Sequence, residues 1–237
     1  MALATSLASR AFAGPPYVTD DPETTPYRHY EIYLFAQGGT SGVSGTSGEA
    51  GVDFNYGAGR DLQLTAVVPL GYVVAPQGGT AASFGRAELA AKFRLLHQDA
   101  SGVDLAIFPR VFLPAGSARV GDRHGTYLLP LWLEKDWEPW SVFGGGGCAL
   151  NRGGGSQDFC LASVALTRQV SDALALGAEV AHQTADTKGG KAASVLGFGA
   201  SYDFSETYHL LASVNRSLDS VPENATFSWY AAVLFTF

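Results

Sequence analysis

Nine charged side chains recur at alternate positions inside otherwise apolar stretches of this chain. They are Glu31, Asp53, Glu88, Lys92, Arg94, Asp104, Arg110, Glu134 and Glu179. Alternate side chains of a strand point to the same side, so these charges would share one face of a sheet. Charges of both signs on such a face either pair into a filled interior or line a narrow water path that selects a solute. The sequence leaves both interpretations open.

Aromatic side chains lie on the same predicted face. They are Tyr33, Phe35, Phe108, Phe112, Trp132 and Tyr230. A purely ionic path has no need of rings, so they favour a path for small apolar or aromatic molecules. Rings that only fill space would give the same pattern. We predict that Phe108 and Trp132, with the nine charged residues, line an enclosed lumen.

Period-two alternation recurs along most of the chain and predicts the strands that carry these side chains. In RAELAAKFRLL, residues 86–96, apolar and charged residues alternate almost without a break. About twelve such segments of roughly ten residues follow one another, which is the length of a tilted strand that crosses a bilayer. Only 16% of the residues are charged. The fold class predicted is all-β: a transmembrane antiparallel up-and-down β-barrel of about twelve strands.

The connections between the predicted strands alternate between long and short. Residues 73–84, for example, read as a long loop, whereas the DWEP segment reads as a tight turn. Outer-membrane barrels combine short periplasmic turns with longer outer loops. An even strand number would then place both termini in the periplasm of a Gram-negative bacterium. The alternative is a soluble barrel or sandwich, because alternation alone does not tell which face is inside.

The last stretch, FSWYAAVLFTF, has alternating apolar residues and ends on Phe237. Such an ending resembles the signal that outer-membrane assembly machinery recognises. We therefore expect that machinery, outer-membrane lipid and a small-molecule solute as partners. The formal net charge of −7 argues against nucleic acid.

Three regions are expected along the chain. Residues 1–13 end in a small-residue pattern typical of a secretory cleavage site and are interpreted as the remnant of an export signal. Residues 14–27 are rich in proline and acid, and form either a plug in the periplasmic mouth or a mobile tail. Residues 28–237 form the barrel.

Four further residues have structural interpretations. Cys148 and Cys160 lie at mirrored positions around a Gly-rich turn and are predicted to form a disulfide that clamps an outer loop. Two cysteines are too few for a metal site, and no cofactor is predicted. Pro109 and Pro130 fall inside predicted strands. They predict either a bulge or an opening in the wall.

The segment AGPPYVTDDPETTPYRHYEIYLFA resembles the start of outer-membrane barrels in the family described as the MetA-pathway of phenol degradation. GRAELAAKFRLL and DLAIFPRVFLPAG are similar to its internal strands. The resemblance spans most of the chain, with TDDP and the strand after it as its distinctive part. It implies a transporter-like channel, with aromatic compounds as one class of solute, and lends no residue roles.

The function predicted is passive transport through the lumen, without enzyme activity. A structural barrel with a closed lumen is the first alternative. An outer-membrane lipid hydrolase is the second, since outer-membrane phospholipase is also a twelve-stranded barrel. That enzyme has His and Ser two residues apart, and none of His124, His182 and His209 reproduces that spacing. No nucleophile and base can be read together from the sequence.

Overall fold

A computed structural model describes residues 16–41, 45–75, 77–116, 124–219 and 225–237. The predicted signal at residues 1–13 lies outside the described residues. The strands are β1 Tyr30–Ser41, β2 Gly45–Gly59, β3 Leu62–Val74, β4 Thr80–Phe84, β5 Arg86–Leu96, β6 Asp104–Ile107, β7 Arg110–Pro114, β8 Thr126–Trp137, β9 Trp140–Leu150, β10 Phe159–Ser171, β11 Leu174–Gln183, β12 Ala193–Asp203, β13 Tyr208–Ser217 and β14 Ala225–Thr236. One short helix, α1 Gln98–Ser101, lies in a turn.

These strands form one closed antiparallel barrel. Its wall has twelve strand positions, which we call staves, and two of them are each made of two consecutive strands. Strands β4 and β5 both pair with β3 and make one stave, interrupted at Gly85. Strands β6 and β7 both pair with β5 and β8 and make another. Every other stave is a single strand paired with its neighbours in sequence, and β14 closes the ring on β1. The prediction of an antiparallel barrel of about twelve strands is confirmed.

The two faces of the wall are inverted relative to those of a soluble protein. In β8, Leu131 and Leu133 are each 44% exposed on the outer face. Their neighbours Trp132 and Glu134 are 1% and 2% exposed on the inner face. Soluble proteins rarely expose large continuous apolar surfaces or bury charged side chains, whereas a barrel in lipid does both. The soluble alternative does not fit this surface.

The barrel has a turn end and a loop end. Both ends of the paired chain, Tyr30 and Phe237, lie at the turn end, where the connections include the two-residue turns Arg60–Asp61 and Asp172–Ala173. The loop end carries the longer connections. The predicted loop at residues 73–84 was partly wrong, because β3 continues to Val74 and β4 begins at Thr80. The hydrogen-bonded ladder of the β3–β4 hairpin therefore continues into residues that the sequence predicted as loop.

No helix in the described part of the chain is long and apolar enough to cross a membrane. The helix α1 is a single turn that ends at Ser101, and the next residue, Gly102, has a left-handed φ of 82°. Glycine is favoured there because it has no Cβ to clash in that conformation.

Pro109 and Pro130 do not cause a bulge. The β8 partners on either side are Ile107↔Leu131 and Arg110↔Leu128, so the register is the same before and after Pro109. The Phe108 N–H still donates to the Pro130 carbonyl, at 3.1 Å. Phe108 and Pro130 are both buried. The expected bulge is therefore wrong, and the wall is closed at this point.

The predicted disulfide is present, and backbone hydrogen bonds hold the last residue at the turn end. Cys148 and Cys160 are paired across β9 and β10 and form a disulfide, with 4.0 Å between their Cα atoms. At the turn end, Phe237 exchanges two backbone hydrogen bonds with Tyr30, of 3.1 and 2.7 Å. These bonds continue the β1–β14 ladder to the last residue.

Candidate functional site

Residues 16–26 cross the barrel interior, and we call them the strap. At one wall, the Ser213 hydroxyl donates to the Pro16 carbonyl, at 2.6 Å. Glu179 accepts the backbone N–H groups of Val18 and Thr19, each at 3.0 Å, and the Thr19 hydroxyl at 2.9 Å. Glu179 is 2% exposed. Three donors satisfy a carboxylate that would otherwise be costly to bury.

The strap reaches the opposite wall through amide and ionic contacts. Gln63 Oε1 accepts the backbone N–H of Thr25 at 2.8 Å and its hydroxyl at 3.1 Å. Lys92 Nζ lies 2.9 Å from Oδ1 of Asp20 and 3.6 Å from Oδ1 of Asp21. Thr25, Asp21 and Lys92 are all less than 5% exposed. The strap is thus anchored on both sides of the lumen, so it occupies the place of a plug.

Glycines on the inner wall make room for the strap. A Cβ atom at Gly177 or Gly199 would lie 2.3 or 2.6 Å from the Tyr17 side chain. A Cβ at Gly57 would lie 2.0 Å from the Pro26 carbonyl. Contacts this short are incompatible with any larger residue unless the strap moves. The wall is shaped to the strap at each of these positions.

Asp21 of the strap has an altered acidity. Burial raises the pKa of Asp21 well above its usual range, and the Lys92 ammonium only partly opposes that rise. The neighbouring carboxylates Asp20 and Glu23 raise the pKa further. The protonated form of Asp21 therefore fits the docked strap better than the ionised form.

The wall formed by β5, β6 and β7 carries two ion pairs in which a buried carboxylate meets a partly exposed arginine. Arg110 donates to both carboxylate oxygens of Glu88, at 2.7 and 2.9 Å. Arg94 donates to Asp104, with Nε 3.1 Å from Oδ1. The Phe108 ring lies 5.0 Å from Lys92 Nζ and 5.2 Å from the Arg110 guanidinium carbon. Cation–π contacts and bidentate pairing both favour the charged forms of these bases.

Beside the strap, the described residues enclose a cavity of about 720 Å³. Its lining runs from strap residues 17–26 along β1, β2 and β3 to positions 37–39, 47–49 and 71–73 near the loop end. The strap forms one boundary of this space. On the other side of the strap, Trp132 and Phe143 are each 1% exposed. Among the described residues, the part of the interior around these two rings is therefore filled with side chains.

The predicted site residues separate into two groups. Those that line the cavity are Glu31, Asp53, Glu88, Lys92, Phe108 and Arg110. Those that lie inside the barrel away from the cavity lining are Arg94, Asp104, Trp132, Glu134 and Glu179. Sequence reasoning missed the binding groups of the strap and its uncharged partners on the wall, Gln63 and Ser213. The acid-rich TDDPE next to the first strand, together with an inward Lys92, was the available signal.

One buried histidine has a carboxylate and a hydroxyl on its two ring nitrogens. His209 Nδ1 lies 2.7 Å from Oδ1 of Asp203, and its Nε2 lies 3.2 Å from the Thr236 hydroxyl. That hydroxyl donates to the Glu206 carbonyl at 2.6 Å. In a catalytic pair, a hydroxyl nucleophile would donate its proton to the histidine nitrogen, whereas the Thr236 hydroxyl donates to a backbone carbonyl. The arrangement instead ties the β12–β13 turn to β14.

Comparison with solved structures gives full-length likenesses of fold. An outer membrane channel from Pseudomonas putida F1 superimposes with a TM-score of 0.77 at 16% identity, over 92% of this chain and 98% of that one. The KdgM porin gives 0.56 at 12% identity, over 87% and 99%. The CymD monoaromatic hydrocarbon channel gives 0.52 at 8% identity, over 91% and 89%. No protein-family model matches the sequence, and no curated protein matches it.

The closed ladder, the apolar exterior and the charged interior together define the class of the protein. It is an outer-membrane β-barrel, with the fold that outer-membrane channels and porins share. The resemblance to the family of the MetA-pathway of phenol degradation stays a prediction.

Proposed function

We propose that this protein is an outer-membrane channel of a Gram-negative bacterium through which small solutes diffuse passively. The observation that carries the proposal is the cavity of about 720 Å³ inside a closed wall, reaching from the strap to the loop end. A purely structural barrel of this size would be expected to fill its interior with side chains, as it does around Phe143. The open side combines charged and amide side chains with aromatic rings, which suits the passage of small solutes.

Apolar or aromatic solutes remain the predicted class. Tyr33, Phe108 and Tyr230 supply ring surface to the lining. The resemblance to the phenol-degradation family favours the same class. The printed name of CymD describes a monoaromatic hydrocarbon channel, although only the fold is shared with it. Outer-membrane lipid and the assembly machinery are the proposed partners of the exterior and of Phe237.

Flux through the purified barrel tests the proposal. We expect vesicles that contain the full chain to swell in small sugars and amino acids, and planar bilayers to show discrete conductance steps. Ser47→Trp places a large ring in the cavity lining and should reduce the conductance severalfold. Ser171→Trp adds the same volume at an exposed strand end and should leave it unchanged.

An absence of flux for every solute would support the closed structural barrel instead. Lipid hydrolysis is not proposed. Ser194 Oγ lies 2.9 Å from Nδ1 of His182, but that ring is exposed and no carboxylate orients it among the described residues. Within those residues, no group of three or more His, Cys, Asp and Glu side chains is arranged to hold a metal ion either.

A further inference from the structure

The charged residues of the wall are sorted by the face on which they lie. In the described strands, the acidic side chains all point into the barrel, as Glu134 and Glu179 do. The charged side chains on the lipid-facing side of those strands are Lys135, Arg168 and Arg216, and each of them is exposed. All are bases, although the formal net charge of the chain is −7. The lipid-facing surface is therefore positive, against the overall charge of the protein.

Arg168 and Lys135 lie near the turn end, beside a pair of tryptophans. Trp137 of β8 is paired with Trp140 of β9, and Trp140 is paired with Arg168 of β10, so these three outward side chains are neighbours. The guanidinium carbon of Arg168 lies 5.2 Å from the centroid of the Trp140 ring. Lys135 precedes Trp137 on the same face of β8, and its Nζ donates to the Gly102 carbonyl in a turn, at 2.6 Å. Tryptophans favour the height of lipid headgroups, so both bases lie where phosphates are found.

The hydrogen-bond donors of Arg168 are available to a ligand. Among the described residues, its guanidinium contacts the Trp140 ring but has no carboxylate within ion-pair distance and no hydrogen-bond acceptor. A cation–π contact uses the face of the guanidinium and leaves its N–H groups at the edge. Those N–H groups match the oxygens of a phosphate, which can accept two of them at once.

The outer surface of β9 next to Trp140 suits an acyl chain. Gly144 and Gly146 lie on its lipid-facing side and present no side chain there. Gly144 is paired with Leu133 of β8 and with Val164 of β10, and both of these apolar side chains are exposed. A shallow apolar groove therefore runs along β9 from Trp140 toward the loop end, and we call it the β9 groove. A free phosphate ion would make no use of it, whereas a lipid would.

We propose that the outside of the barrel binds an anionic glycerophospholipid at the turn end, with its phosphate on Arg168 and one acyl chain in the β9 groove. Trp140 positions the guanidinium, and Lys135 adds positive potential at the same end. A zwitterionic lipid carries its own cation beside the phosphate, so it gains less from the two bases. The proposal depends on a barrel that lies in lipid and not on whether the lumen conducts.

Retention of lipid by the full chain tests the proposal. The purified barrel is incubated in mixed micelles with equal amounts of phosphatidylglycerol and phosphatidylcholine that have identical acyl chains. After gel filtration, the lipid that stays with the protein is extracted and quantified by mass spectrometry. We expect phosphatidylglycerol to be retained in about fivefold excess. An excess of inorganic phosphate should not displace it, because the free ion has no contact with the β9 groove.

Two matched variants identify the site. Arg168→Gln removes the base beside Trp140 and should lower the excess of phosphatidylglycerol about fivefold. Arg216→Gln removes an exposed lipid-facing base near the loop end, where its strand partner is Phe227, and should leave the excess unchanged. Heat-modifiable migration on gels shows whether each variant is folded. The comparison of the two lipids on the unaltered protein decides the proposal even if a variant does not fold.

Each other outcome contradicts a stated part of the proposal. Equal retention of the two lipids, or retention of neither, would overturn it. Equal loss in the two variants would show a general effect of surface charge and no site at Arg168. Displacement by inorganic phosphate would reduce the site to one for a free ion. Because none of these results depends on conductance, failure of this proposal leaves the channel function standing, and a barrel that does not conduct leaves this proposal standing.

Discussion

Thr19 and Glu179 lie 160 residues apart in sequence and are joined inside the barrel by two hydrogen bonds. The backbone N–H and the hydroxyl of Thr19 both donate to Oε2 of Glu179, at 3.0 and 2.9 Å. Val18 donates to the other carboxylate oxygen. This contact fixes the strap across the lumen and so decides how much of the interior is open.

Glu179→Gln should loosen the strap. The substitution keeps the size of the side chain but removes its charge and one of the two acceptor oxygens. Hydrogen bonds to charged groups are worth about 1.5–3 kcal/mol, so docking of the strap should weaken by about that amount. We expect larger or more frequently open conductance steps in planar bilayers. Glu138→Gln, in an exposed turn, serves as the control, and equal conductance in the two variants would contradict the role of the strap.

Docking of the strap should be tightest at low pH. Burial raises the pKa of Asp21 above its usual range, so the folded state binds this proton more strongly than the unfolded state does. The contribution of Asp21 to stability is therefore full below its ordinary carboxyl pKa and is lost as pH rises through the raised value. Conductance should increase with pH over that window. Asp21→Asn should remove this part of the pH dependence, and an unchanged profile would refute the assignment.

Arg110→Met should destabilise the barrel strongly. It leaves Glu88, which is 5% exposed, without its bidentate partner. Breaking a buried pair in this way costs about 3–5 kcal/mol. Urea unfolding in lipid vesicles measures the change, and Arg110→Met with Glu88→Leu should recover most of it.

An exposed pair provides the control for that measurement. Nε of Arg152 lies 3.7 Å from Oδ2 of Asp158, and the two side chains are 78% and 47% exposed. Arg152→Met should cost less than about 1 kcal/mol. Similar losses for Arg110→Met and Arg152→Met would show that burial of the Glu88 pair does not matter.

Replacing Cys148 and Cys160 together by serine should lower stability without affecting transport. The disulfide joins facing positions of β9 and β10 at the base of a loop. Loss of a bridge over a loop of this length typically costs about 2–4 kcal/mol, because the unfolded chain gains freedom. We expect an earlier urea midpoint and unchanged conductance. A changed conductance would mean that the loop takes part in the path.

Phe237→Ser should impair assembly in cells more than stability. Phe237 is 59% exposed at the barrel end, and its ring lies 5.7 Å from that of Tyr30. The backbone bonds between the two residues would survive the substitution. We expect less folded barrel in membranes but near-normal refolding of purified protein into detergent. Leu218→Ser, an exposed apolar residue at the loop end, is the control, and equal assembly of both variants would argue against a terminal signal.

Much of the barrel could be predicted because the alternation of apolar and polar residues is a pattern between near neighbours in the sequence. Alternation in β8 places Leu131 and Trp132 on opposite faces from a few residues alone, whereas the exposure of Leu131 in the closed barrel shows which face is outward. The pairing of Cys148 with Cys160 follows from symmetry about one turn. The effect of Pro109 could not be predicted, since a missing N–H does not show whether the register shifts.

The sequence by itself determined the approximate strand number, the two alternating faces of each strand and the disulfide, because each depends on neighbours along the chain or across one hairpin. Only the tertiary structure decided that the strap spans the lumen, that Lys92 pairs with Asp20, and that Glu179 binds Thr19 instead of facing the cavity. The physical reason is the closure of the barrel. Closure brings strands that are far apart in sequence around one enclosed space. In that space, charges and side-chain volumes are balanced between residues that no local sequence pattern connects.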